Sequence, residues 1–171
     1  MPQYTFNQLN PFSRDEFVRV VGPVFEHSPW IAEETWGRRP FASLEQLHEA
    51  LNRTVANAGE DKQVKLIQAH PDLVGRAALA GTLTPESNRE QASAGLGQLS
   101  TEEIALFQKN NGAYREKFGF PFVICARLNK KEAILKGFEM RLKNSREQEI
   151  KAALEEISKI ARLRLQDLIA V

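Results

Sequence analysis

The stretch that decides the fold is REQEIKAALEEISKIARLRLQDLI, residues 146–169. Ile150, Leu154, Ile157, Ala161 and Leu168 fall close to one line when successive residues are turned by about 100°. The segment therefore reads as one long amphipathic helix from Arg146 to Ile169, opened by Ser145 with Gln148 three residues on. Arg164 lies on the same apolar line, whereas Lys159 and Arg162 point well away from it. An inward guanidinium is costly without an acceptor. It calls for a carboxylate, several carbonyls or an anionic ligand. A structural salt bridge, or a side chain reaching past the stripe to water, would satisfy it equally.

Working outward, the same helix-start chemistry recurs. A Ser followed three residues later by Glu or Gln lets the two side chains satisfy free first-turn amides. It occurs at Ser13–Glu16, Ser43–Gln46 and Ser100–Glu103, with a looser version at Asn129–Glu132. Thr84-Pro85 adds a start with proline at the first helical position. The expected helices run over 13–20, 30–35, 44–55, 61–70, 85–94, 101–117, 130–142 and 146–169, with 75–83 of no definite state. The best strand candidate, FPFVICARL, is short and alone. The fold class expected is all-α, a single domain over residues 1–171 with about seven to nine helices.

Hydrophobic residues at 42% and charged residues at 26% give an ordinary globular balance. A net charge of +1, with both signs interspersed, gives no electrostatic case for a nucleic-acid partner. One cysteine, Cys125, allows no internal disulfide, and a reducing compartment is the simpler home. No apolar run approaches the ~20 residues of a membrane span. The start MPQYTFNQLN lacks a secretion pattern and the end QDLIAV is not a peroxisomal address. The expectation is a cytoplasmic protein with no membrane and no nucleic-acid partner.

Three further stretches carry candidate chemistry. His70 stands before Pro71, which disfavours helical geometry at residue 70. A histidine at a helix C-terminus feels the negative end of the dipole, favouring its charged form, while burial opposes this. Such a residue can act as a general acid near neutral pH, or simply cap the helix. His27 and His48 make no metal-ligand spacing with it, and no metal is expected. In LTPESNREQASAGL, Ser87 and Glu90 share a helix face beside first-turn amides that suit an anion or a carbonyl; a well-capped surface helix is the alternative. In KFGFPFVICA, Gly119 and Pro121 shape a loop whose backbone could meet a flat heterocycle among phenyl rings, or which plugs the core. Trp30 and Trp36 read as core or pocket-wall residues.

Taken together, HPDL (70–73), LTPESNREQASAGL (83–96), NNGAYREKFGFPFVICA (110–126) and EISKIARLRLQDLI (156–169) resemble the 2-oxo-4-hydroxy-4-carboxy-5-ureidoimidazoline (OHCU) decarboxylase family. FEHSPW and GRRPFASLEQLHEAL fit as well, so the resemblance covers nearly the whole chain. It implies an all-α, cofactor-free carboxy-lyase of urate degradation, a homodimer acting on the small molecule OHCU to give (S)-allantoin. It implies His70 as catalytic acid, with Ser87, Glu90 and Arg164 completing the catalytic set. Arg162 is the rival for the arginine role. Pro71, Asn88, Arg89, Gln91 and the segment Phe122, Val123, Ile124, Cys125 and Ala126 would join in holding substrate. A lyase for another small ureide, or a helical binding module without activity, are the competing readings.

Overall fold

Side-chain caps set where most helices begin. In the computed structural model, which describes residues 3–170, the helices are α1 (Phe6–Leu9), α2 (Arg14–Val21), α3 (Trp30–Thr35), α4 (Leu44–Ala56), α5 (Glu60–Gln68), α6 (Arg76–Ala80), α7 (Pro85–Ser93), α8 (Thr101–Phe118), α9 (Lys131–Arg141) and α10 (Arg146–Leu168). Residues 1, 2 and 171, on which the readings of the chain ends partly rest, lie outside the described residues. Ser13, Ser100 and Ser145 each exchange hydrogen bonds with the residue three positions on. Thr84 accepts from the Ser87 N–H, with Pro85 at the first position of α7.

The all-α expectation is met. Among the described residues the β-pairing is an isolated bridge between Tyr4 and Ile169. The expected helix count of about seven to nine becomes ten among the described residues. The uncertain stretch 75–83 holds α6, and α1 is a four-residue helix capped by Thr5 and Gln8 through the same reciprocal bonds. The looser cap at Asn129 does not form. The Asn129 amide donates instead to the Cys125 carbonyl at 2.9 Å, and α9 starts from Lys130 without a side-chain cap. The helix expected to reach His70 stops at Gln68, because the restriction that Pro71 places on residue 70 leaves Ala69 as the C-cap. FPFVICARL makes no strand; its end is a 3₁₀ turn at Ala126–Leu128.

The chain forms two compact units, residues 1–69 with 158–171, and residues 70–157. In the first unit α3 packs on α2 and α4. Phe17, Ile31, Leu47, Leu51, Leu66 and Ile67 have no exposed surface, and Ala161 and Leu165 of α10 are as deeply buried. Each of the Leu, Ile and Phe side chains contributes about 1.5–3 kcal/mol by leaving water. In the second unit α8 packs on α9, with Tyr114, Phe122 and Phe138 at its centre. Phe122 stacks on Phe138 at 4.0 Å between ring centroids. No described helix is long and apolar enough to cross a membrane.

Candidate active site

The sequence of α7 buries one helical face. Ser87, Glu90 and Gln91 are buried at spacings of three and four, and Ala94 continues the face. Asn88 and Arg89 lie between them on the solvent side. Small residues beyond position 91 let other backbone come close. Two elements of the same unit do so.

The first is the turn that follows His70. The Gln91 carboxamide accepts from the Val74 N–H at 3.2 Å and donates to the Asp72 carbonyl at 3.4 Å. His70 itself is buried at 7% exposure, Pro71 is half-buried, and Leu73 and Val74 are buried. The second is the end of the aromatic segment, since α7 packs on the 3₁₀ turn at Ala126–Leu128. Side chains hold the backbone of the segment leading into that turn. Arg141 donates to the Val123 carbonyl at 2.6 Å and lies over the Phe122 ring at 4.3 Å. Cys125 N–H donates to Glu156 Oε1 at 3.1 Å. Phe122, Val123, Cys125 and Ala126 are buried, and Ile124 is half-buried.

Electrostatics tie these pieces together. Burial pushes the Cys125 thiol above its ordinary range; the Glu156 and Glu90 carboxylates add to the shift, against lowering by a backbone bond from Leu128. The second unit therefore holds three buried side chains with candidate chemistry: the His70 imidazole before the turn that Gln91 holds, and the Ser87 hydroxyl and Glu90 carboxylate on one face of α7. Such a set can donate a proton and accept N–H groups from a small polar molecule.

Arg164 belongs to the first unit. It is 6% exposed, as the helical phase requires, while Arg162 lies out at the surface beside Glu45. Its guanidinium donates to Glu26 Oε1 at 2.8 Å and to the Pro23 carbonyl at 3.1 Å. Of the acceptors expected for an inward guanidinium, a carboxylate and a carbonyl are present, and the carboxylate is Glu26, itself 2% exposed. Nothing in the local pattern of FEHSPW marks Glu26 as that partner. Asn111 of α8 and the pair of half-buried Arg141 with buried Glu149 (2.7 Å) are likewise unmarked in the local sequence. Trp30 and Trp36 are both half-buried at the rim of the first unit.

Residues 10–166 match the OHCU decarboxylase family profile. The chain is 42% identical over 168 residues to a 2-oxo-4-hydroxy-4-carboxy-5-ureidoimidazoline decarboxylase of Halalkalicoccus jeotgali, covering 98% of this chain and 93% of that protein. It is 41% identical to the protein of the same name from Mus musculus, covering 95% and 91%. A crystal structure of (S)-allantoin synthase superposes with a TM-score of 0.79 at 29% identity, over 99% of this chain and 54% of that one. A crystal structure of OHCU decarboxylase in the presence of (S)-allantoin shares the fold with a TM-score of 0.68 at 23% identity, over 90% and 96%. A profile that spans most of the sequence, and identities above 40% over nearly its full length, settle the matter of kinship: the chain belongs to the OHCU decarboxylase family.

Proposed function

We propose that the protein is the carboxy-lyase that converts OHCU to (S)-allantoin and carbon dioxide in urate degradation. Family membership supports this, and the observation that carries the site is the buried α7 face, which holds Ser87 and Glu90 beside the turn after His70. The carbon that loses carbon dioxide adjoins a C=N group. The electron pair of the broken C–C bond passes into that imine, so the substrate supplies its own electron sink. What remains for the protein is to orient the carboxylate and deliver one proton.

His70 delivers that proton on one face, which gives one hand of allantoin; general-acid help of this kind contributes roughly 10²–10⁴-fold. Glu90 accepts from the ureido or ring N–H groups. Ser87 gives a hydroxyl at the start of α7. Phe122–Ala126 offer the flat ring an apolar wall and backbone polar groups, and Pro71 bounds the imidazole. Asn88 and Arg89 point outward, so their share in binding is the weakest part of the α7 motif. Arg164 is proposed to hold the substrate carboxylate or a carbonyl on the strength of its place in the LRL motif. The same reading extends to a homodimer in the cytoplasm, and light scattering of the purified protein tests the dimer.

The deciding experiment generates OHCU from urate enzymatically, adds the protein and follows circular dichroism. Fast appearance of (S)-allantoin in place of the racemate is the expected result, lost in His70→Asn with the fold intact. Unchanged production of optically active allantoin by that variant would remove His70 from the mechanism. Turnover of allantoin or allantoate in place of OHCU would move the enzyme to another ureide, and no turnover of any of the three would leave a binding module.

A further inference from the structure

His70 is followed by a turn held in an unfavourable backbone state. Asp72 to Gly75 make a four-residue turn closed by the Gly75 N–H on the Asp72 carbonyl at 3.3 Å. Its third residue, Val74, has a φ of 54°. Turns with positive φ at that position ordinarily take Gly or Asn, and a β-branched residue there is an outlier. The turn is also tight: a Cβ on Gly75 would meet Asp72 Cβ at 2.6 Å. Rotating the central Leu73–Val74 peptide by half a turn would return Val74 to negative φ, the arrangement most residues accept.

Two side chains from neighbouring helices oppose that rotation by gripping the two ends of the same peptide. Asn111 Nδ2 of α8 donates to the Leu73 carbonyl at 2.8 Å. Gln91 Oε1 of α7 accepts from the Val74 N–H at 3.2 Å. Asn111 is buried, and its Oδ1 has no hydrogen-bond partner among the described residues. A buried amide left half satisfied costs desolvation, and the bond to the Leu73 carbonyl is what offsets that cost. Arg115 Nε adds an outer brace by reaching both carboxylate oxygens of Asp72 at 3.0 and 3.1 Å. Strain and an orphaned polar atom thus meet four residues from the imidazole, where backbone outliers are informative about function.

We propose that Asn111 and Gln91 are positioning residues that together pin the Leu73–Val74 peptide in its strained orientation and so fix the backbone that presents His70. The proposal rests on the catalytic role given to His70. Gln91 then acts through the turn and not by touching substrate, although it sits in the substrate-binding motif of α7.

The test compares wild type with Asn111→Leu, Gln91→Met and the double variant Asn111→Leu/Val74→Gly. Asn111→Leu and Gln91→Met should each lower kcat about tenfold or more with KM within about twofold, because misplacing a catalytic group by an ångström is that damaging. Glycine at 74 removes the backbone conflict. The double variant should therefore recover much of the lost kcat while its Tm falls further from the lost valine. Should Asn111→Leu fold poorly, Gln91→Glu keeps an acceptor for the Val74 N–H and should retain more kcat than Gln91→Met. Amide exchange of Val74, measured without substrate, should be protected in wild type and fast in Gln91→Met. A raised KM with kcat intact, wild-type values of both, or glycine at 74 giving no recovery would overturn the proposal. So would equal Val74 exchange in wild type and variant. An inactive wild type with the exchange difference present would sink the functional reading and leave the clamp standing.

Discussion

Glu90 is buried while Asn88 and Arg89 on the same turn face water, so burial separates the motif's side chains by the job each can do. Replacing Glu90 with Ala should raise KM as well as lower kcat, since a lost acceptor for substrate N–H groups weakens ground-state binding; steady-state kinetics showing an unaltered KM would exclude the ligand role. Arg164 was legible because helical phase alone turns it inward. Its partner Glu26 was not, because a pairing across 138 positions is set by packing and leaves no mark on local pattern. Both side chains are buried, so Glu26→Gln should cost about 3–5 kcal/mol in urea unfolding by leaving the guanidinium short of counter-charge. Asn111 was illegible for the same reason, its meaning lying in a carbonyl 38 positions away. The raised Cys125 thiol is protonated and buried at neutral pH. Iodoacetamide should therefore leave the native protein unmodified at pH 7.5 and label it only on unfolding, as mass spectrometry would show.

Helix starts were the most legible elements, because a cap is a contract between residues three apart that tertiary structure seldom overrides. Ser13, Ser100 and Ser145 kept it on both sides. Ser100→Ala should cost about 1 kcal/mol in thermal or urea unfolding through loss of the first-turn acceptor. Asn129 shows how the rule fails. Its side chain found a buried carbonyl of Cys125 nearer than the amides of α9, so Asn129→Ala should loosen the 3₁₀ turn while α9 persists by amide exchange. The aromatic segment was recognisable as a loop from Gly119 and Pro121, and Gly119 does adopt a left-handed cap at the end of α8. That its carbonyl at Val123 would be met by Arg141, itself neutralised by Glu149, required three segments to be brought together by packing.

At the scale of the molecule, two buried acids set an alkaline limit to stability. The Tyr114 phenol is pushed up by burial and then by its bond to the Glu149 carboxylate, and the Cys125 thiol is pushed up chiefly by burial. Unfolded, these groups lose their protons near ~8.5 for a thiol and ~10 for a phenol. Folded, they keep them to higher pH, so their stabilisation is whole below the unfolded values and drains away as pH rises through the folded ones. Tm should fall on going from pH 7.5 to pH 10.5, and Tyr114→Phe should flatten the drop. The all-α class was legible from capping and a 3.6-residue period. The pairing of the two ends of the chain was not, since neither end carries a strand pattern.

That pairing has a practical outcome. Tyr4 and Ile169 form a bridge, with the Tyr4 N–H on the Leu168 carbonyl and the Ala170 N–H on the Tyr4 carbonyl, both at 2.9 Å. Segments stitched side by side are the geometry that tolerates circular permutation. In a variant cut to residues 3–170, a short glycine tether would span the bridge, with new ends opened at an exposed loop and α1 to α10 left whole.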